Sequence, residues 1–207
     1  MSSRTPEHIP AESQTAPVHD RELRADARRN REQVLRTAQR LFASQGLGVS
    51  LDEIARRAGV GPGTVHRHFP NKEALYLAVA IDQIRQLVAE GEALTGTDDP
   101  AALFTLLSRM MASGAENAAV KSALTAAEFD LRDAAPDAAA DLTHQVAHLL
   151  DRARRAGVVR YDVTVEEVMA IVAGAFAAIR HADADTDRER SARIARIILD
   201  GLRPQPR

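Results

Sequence analysis

The sequence predicts an all-α protein of about nine helices, and three observations carry that prediction. Aromatic residues make up 3% of the 207 residues and there are 11 Gly, a poor composition for strands, whereas Ala, Leu, Arg and Glu dominate as they do in helices. Apolar residues recur at spacings of three and four through most of the chain. Helix-capping sequences punctuate those periodic segments: Ser50-Leu51-Asp52-Glu53, Thr164-Val165-Glu166-Glu167 and Thr186-Asp187-Arg188-Glu189 each place a hydroxyl three residues ahead of a Glu.

Taken in order, residues 1–23 hold Pro6, Pro10 and Pro17 among polar side chains with no apolar period, and read as a disordered arm. A first helix follows, in which Val34, Leu35, Ala38, Leu41 and Phe42 form a stripe behind the basic turn Arg28, Arg29 and Arg31, with Gly46 as its stop. The Ser50 box opens a short second helix that buries Leu51, Ile54, Ala55 and Ala58. It breaks at Gly59-Val60-Gly61, and a third helix restarts on Pro62, a favoured first helical residue, and runs to about Phe69. Asn71 caps a longer fourth helix striped by Leu77, Ile81, Ile84 and Val88, which reaches about Leu94 and bridges a head, residues 24–70, to a body, residues 71–207.

Five more helices are predicted in the body. Asp99 and Pro100 open one that ends near Met111, a second covers residues 118–132, and Pro136 opens a third that packs through Leu142, Val146, Leu149, Leu150 and Ala153 and stops at Gly157. The Thr164 box opens the fourth, through about His181, and the Thr186 box opens the last, with Ile194, Ile197, Ile198 and Leu202 on one stripe.

Composition also narrows function. With no Cys, disulfides, zinc-thiolate sites and cysteine nucleophiles are excluded, and a reducing compartment fits. The first sixteen residues lack the apolar stretch of a secretory signal and residues 170–179 are too short to span a bilayer, so a cytoplasmic protein without a membrane partner is expected. No GxSxG elbow, HExxH or P-loop is present, and the adjacent Glu166 and Glu167 suit a helix cap, so no enzyme activity and no cofactor are expected. Net charge is only -2, but it is unevenly placed. Residues 24–72 carry ten Lys/Arg against four Asp/Glu, while the remainder of the chain beyond them carries fifteen against twenty-one. A basic end on an acidic body is the pattern of a nucleic-acid-binding head.

Residues 51–69 have the spacing of a helix-turn-helix. Ala55 is small where a second helix crosses, Gly59 suits the left-handed turn four residues on, and Val60 and Val65 plug the angle between the helices. That leaves Gly63, Thr64, His66, Arg67 and His68 facing outward for a major groove, with Arg67 able to pair guanine O6 and N7 and Thr64 a thymine methyl or a phosphate. Two packed helices with a glycine turn occur in many globular proteins. Here they come with Arg28, Arg29 and Arg31 on the preceding helix, and with Ser50 and Lys72 at helix starts where a phosphate backbone would pass.

The stretch REQVLRTAQRLFASQGLGVSLDEIARRAGVGPGTVHRHFPNKEALYLAV, residues 31–79, resembles the N-terminal domain of the TetR family, with LFASQG, DEIARRAGV, GTVHRHF and NKEALY as its most specific parts. The NKEALYLAV ending and the body are similar to the SbtR-like subgroup. The resemblance implies a three-helix DNA-reading head on a helical ligand-binding body, a four-helix dimer interface made by the last two helices of each subunit, and nine helices in all. It also implies double-stranded DNA with a palindromic operator as partner, a homodimer, and a small-molecule effector that releases the repressor. One departure stands out: His66 occupies the place of a Tyr that in the family touches phosphate, which would make that contact pH-sensitive.

The effector pocket implied by the resemblance lies among the middle helices, with Leu106, Arg109, Met110, Glu128, His144 and Phe176 as candidates for its wall and polar groups. Most apolar residues there serve simply as core. His144 and His148 are one helical turn apart, with Asp141 or Glu128 as conceivable third ligands, but such a pair more often lines a helix face, and no metal is assigned. For the dimer face the candidates are Val168, Ile171, Val172, Ala175 and Ile179, with the small Gly174 and Ala178 allowing close helix approach, and Ile194, Ile197 and Ile198 on the last helix.

Overall fold

A computed structural model describes residues 18–127, 129–180 and 187–204. The described residues are helical with no strand: α1 Val18–Gln45, α2 Leu51–Ala58, α3 Pro62–His68, α4 Lys72–Thr95, α5 Ala102–Glu116, α6 Ala118–Ala126, α7 Leu131–Ala134, α8 Pro136–Arg155, α9 Val165–Arg180 and α10 Asp187–Asp200. Nine of these answer to the nine read from the sequence, and α7 is a single extra turn. It arises because the helix expected over residues 118–132 stops early. The Phe129 N–H turns back to the Leu124 carbonyl at 2.9 Å, a bond that closes a helix C-terminus and sends the chain off its axis. At the other end α1 starts at Val18, inside the stretch expected to be a disordered arm, whose first seventeen residues lie outside the described ones.

Local chemistry explains most boundaries. The Ser50 hydroxyl accepts from the Glu53 N–H at 3.1 Å and the Asn71 side chain from the Ala74 N–H at 2.8 Å, capping α2 and α4. The Ser50 box closes only halfway, because the Glu53 carboxylate turns along the helix to Arg56 and Arg57, and those guanidiniums hold it below the usual carboxylate range. At Thr164 both halves form: Thr164 N–H donates to Glu167 at 2.7 Å, and Glu167 N–H donates back to the Thr164 hydroxyl at 3.2 Å. The Thr186 box lies outside the described residues.

Two apolar cores result. The head core gathers Val34, Leu35, Ala38 and Phe42 of α1, Ile54, Ala55 and Ala58 of α2, Val65 of α3, and Leu75, Tyr76 and Val79 of α4. It also contains Val120 and Leu124 of α6, so a body helix completes the head. The body core joins Leu103, Leu106, Leu107 and Met110 of α5 to Val146, Leu149 and Leu150 of α8, Val168 and Val172 of α9, and Leu199 of α10. α4 runs through both, supplying the head with its first half and the body with Ile84, Leu87, Val88 and Leu94.

At its far end α4 lies close against α8. A Cβ on the buried Gly91 would stand 2.8 Å from the Gln145 Cβ, which cannot retreat without moving its helix. Gly91→Ala is therefore expected to lower stability by about 1–3 kcal/mol through overpacking, more than offsetting the gain in helix propensity, and thermal unfolding reads the loss directly. Next to it the Arg152 guanidinium of α8 caps the end of α4, donating to the carbonyls of Leu94 at 3.0 Å, Thr95 at 3.2 Å, Thr97 and Asp99 at 2.9 Å.

Candidate nucleic-acid interface

The turn between α2 and α3 is built from backbone bonds. Gly59 has φ +66°, Val60 N–H donates to the Ala55 carbonyl at 3.0 Å and Gly59 N–H to Arg56 at 3.3 Å, the paired closure that a left-handed residue permits. Pro62 then sits in the first turn of α3, and Val65 and Phe69 turn inward and are buried. The opposite face is in solvent: Gly63, His66, Arg67 and His68 are exposed and Thr64 is half-buried. Arg67 makes no hydrogen bond or ion pair among the described residues, so its five donors are available to a partner.

The other predicted contacts are distributed around α3. Arg31 lies over the Phe69 ring, 5.6 Å from its centre, which holds its charge against the base of α3. Arg28 pairs with Glu32 at 3.2 Å and Arg29 with Asp26, both exposed pairs within α1 that a phosphate could displace at little cost. His66 Nε2 stands 3.0 Å from Asp52 Oδ1, joining α3 to α2 and making an ion pair when the ring is protonated. Ser50 spends its hydroxyl on the α2 cap and its side chain faces solvent.

Lys72 is placed differently from the sequence reading. Its ammonium donates to the carbonyls of Leu47 at 3.3 Å and Gly48 at 3.2 Å, so it ties α4 to the loop between α1 and α2 before any phosphate arrives. Sequence reasoning missed a second tie to the same loop. The buried Tyr76 donates its hydroxyl to Leu47 O at 3.0 Å and meets the Phe42 ring edge-on at 5.1 Å. The signal was present in NKEALY, where the Tyr follows the Lys by one helical turn. Burial raises the Tyr76 pKa above 10.0, so its stabilising contribution is whole below the unfolded value and fades as pH climbs through the folded one. Tyr76→Phe should cost about 1 kcal/mol at neutral pH, and this alkaline component should vanish from the stability profile.

With this geometry in hand, the chain can be set beside known proteins. Residues 34–79 match the model for bacterial regulatory proteins of the tetR family, and residues 98–204 match that for the C-terminal domain of SbtR-like transcriptional regulators. A solved TetR transcription regulatory protein from Mycobacterium vanbaalenii is 44% identical over 88% of this chain and 99% of that one, with a TM-score of 0.70. The chain belongs to the TetR family. The TetR regulator SCO0520 from Streptomyces coelicolor is 30% identical over 85% of this chain and 99% of that one, with a TM-score of 0.68. An HTH-type transcriptional regulator from Staphylococcus aureus strain USA300 is 39% identical over 54 residues, 26% of this chain, and the chain spans only 29% of the length of that relative.

TetR-family proteins are transcription regulators rather than enzymes; they bind DNA and dimerise. Among the described residues no helix is long and apolar enough to cross a membrane. In the body of this TetR-family chain, Leu106, Met110 and Phe176 of the effector-pocket reading share one apolar core, while its Arg109 and His144 stand in solvent. Leu106 and Met110 are buried in the body core, Arg109 is exposed 3.9 Å from Glu90, His144 and His148 are exposed on α8, and Glu128 lies outside the described residues. Phe176 is half-buried, with the Lys121 ammonium 3.8 Å from its ring centre. Glu128 aside, none of the other five lines the open hollow of about 330 Å³ between α4 and the α7–α8 corner, whose walls include Ile81, Arg85, Val88, Pro136, Asp137 and Asp141.

The dimer-face reading needs correcting. Val168, Val172 and Ala175 are buried in the protomer's own core, because α9 turns that stripe toward α5 and α10, and Ile171 packs beside them. The side chain of Ile179 is outside the described residues. At 100° per residue the free face of α9 is the opposite one, where Ala170 and Ala173 join Gly174 and Ala178 of the sequence reading, all four exposed. On α10, Ile194 and Ile198 are half-buried, while Ile197 is 61% exposed.

Proposed function

We propose that the protein is a cytoplasmic, homodimeric repressor that holds a palindromic operator with its two α3 helices and leaves it when a small molecule occupies the body. The observation that carries this reading is the solvent face of α3. A seven-residue helix with Gly63, Thr64 and Arg67 outward and Val65 inward has no core role for that face, and the head around it is basic. Thr64 and Arg67 supply base contacts; Arg28, Arg29, Arg31, Ser50, His66, His68 and the remaining donor of Lys72 supply phosphate contacts. One protomer covers one half-site, so the second copy is needed to set two α3 helices about 34–36 Å apart. The small residues on the free face of α9 let a partner's helices approach closely, and the exposed Ile197 of α10 offers them an apolar contact. Because α4 serves both cores, a ligand that shifts its body half carries the head with it and changes that spacing.

The test is selection of duplexes from a random-sequence pool by the full chain, followed by titration of the winner at two salt concentrations. A symmetric site bound by two chains, with affinity falling steeply as salt rises, is the expected result. Enrichment of no sequence, or binding as a single copy, would overturn it.

A further inference from the structure

The head and body cores meet without merging, and the seam between them is polar. Along the inner face of α4 the head residues Val79 and Ala80 give way to the body residue Leu87, and between them stands Gln83, 6% exposed. Along α5 and α6 the body residues Met110 and Met111 give way to the head residues Val120 and Leu124, and between them stands Asn117, 2% exposed. Asn117 Nδ2 donates to the Ser113 carbonyl at 2.9 Å, which fixes the amide and leaves Oδ1 pointing elsewhere. That oxygen and Gln83 Nε2 are both buried with no hydrogen-bond partner among the described residues. Orphaned buried amide atoms are costly and uncommon, and two at one seam ask for an explanation.

The two lie within one helical turn of each other along the bundle. α4 and α5 are consecutive, antiparallel helices, and a Cβ on Gly91 would touch Leu106 at 3.5 Å. Gln83 is eight residues before Gly91 and Gly114 eight after Leu106, so equal rise along both helices sets Gln83 opposite Gly114. Asn117 follows Gly114 by three residues, at the joint between α5 and α6, and Lys121 lies four further on in α6, its N–H bonded back to the Asn117 carbonyl at 3.0 Å. Phe176 of α9 lies across that joint. Its ring fills the place where a Gly114 side chain would begin, and its centre is 3.8 Å from the Lys121 ammonium. The ring thus spans the level of Asn117 while being only half-buried itself.

We propose that this seam is a small-molecule site, plugged by Phe176 and read by Gln83 and Asn117, for an uncharged ligand that joins an apolar ring to an N–H or O–H donor. The ligand's ring takes the place of the Phe176 ring against Gly114. Its donor meets Asn117 Oδ1, and its acceptor, where it has one, meets the Gln83 amide. A cation would be desolvated there against two neutral amides and beside the Lys121 ammonium, with no buried carboxylate among the described residues, which disfavours positive charge. The site rests on the effector reading above and gives it a location: a ligand at the seam stands where the head core ends and the body core begins.

Benzamide is the probe, because its ring matches the plug and its amide the anchors. Toluene has the ring alone, and benzamidinium replaces the neutral amide with a positive charge. In Phe176→Ala protein, calorimetric titration should show benzamide binding about tenfold tighter than toluene, with benzamidinium weaker than both. Adding Asn117→Leu should erase the preference of benzamide over toluene. Equal binding of benzamide and toluene, a preference that survives Asn117→Leu, or no binding of either overturns the proposal. Should Phe176→Ala not fold, the side-chain amide resonances of Gln83 and Asn117 in the unaltered chain take over: they should move with benzamide and not with toluene, and resonances that stay fixed overturn it. Benzamide binding that leaves operator affinity unchanged would support the site and sink the release mechanism. Failure to bind any operator would sink the repressor reading without touching the benzamide result.

Discussion

Arg67→Ala protein is expected to lose about 1–3 kcal/mol of binding to its selected operator, roughly a five- to 150-fold weakening, while its affinity for unrelated duplex falls far less. The reason lies in where the side chain is. Arg67 is exposed, sits on the face of α3 away from Val65, and has no partner among the described residues, so its removal exposes no core and strands no group. The melting temperature should therefore stay nearly unchanged, as it does for most surface substitutions. His66→Ala makes the contrast, because it also breaks the link to Asp52 between α3 and α2. If Arg67→Ala discriminated among duplexes as well as the unaltered chain does, Arg67 would not be reading a base. Competition binding at fixed salt decides the matter.

The head was legible in the sequence because its constraints are local. Ser50, Gly59, Pro62 and Asn71 each act within one turn of their own position, and each does in the structure what its type suggests. What escaped was set by distance in space. Glu53 had two acceptable partners, the Ser50 N–H or the arginines at 56 and 57, and the sequence cannot rank them. The carbonyls held by Lys72 belong to a loop 24 and 25 residues earlier, beyond any local rule. On α9 both faces are built from apolar or small residues, so periodicity alone could not say which one the protomer hides; packing against α5 and α10 turned Val168, Val172 and Ala175 inward. The split of the pocket candidates between core and surface has the same origin, since depth in the core decides whether Leu106 or Met110 meets a neighbour or a ligand.

Phe42→Ala should be the most damaging single truncation in the head, at about 3–5 kcal/mol. Phe42 is 4% exposed, lies in the head core, and meets the Tyr76 ring at an interplanar angle of 76°, so it is the aromatic link between α1 and α4. Its loss leaves a cavity where α1, which packs on α3, meets α4. For a chain of this size the penalty corresponds to a drop of about 6–20 °C in melting temperature, which calorimetry would record. A drop below a few degrees would mean that the head relaxes around the gap and that α1 and α4 are held mainly elsewhere. DNA affinity should fall with stability here, in contrast to Arg67→Ala, where the two separate.

The placing of Val120 and Leu124 in the head core bears on what could be built from this chain. A gene fusion that cut after residue 70 would carry away α1 to α3 with an open apolar wound where α4 and α6 had been, and would leave the donor body with the matching scar. Transplanting the DNA specificity into another sensor therefore calls for exchanging surface letters on α3 within an intact chain. Swapping whole heads would also require re-matching the α6 side chains beneath them.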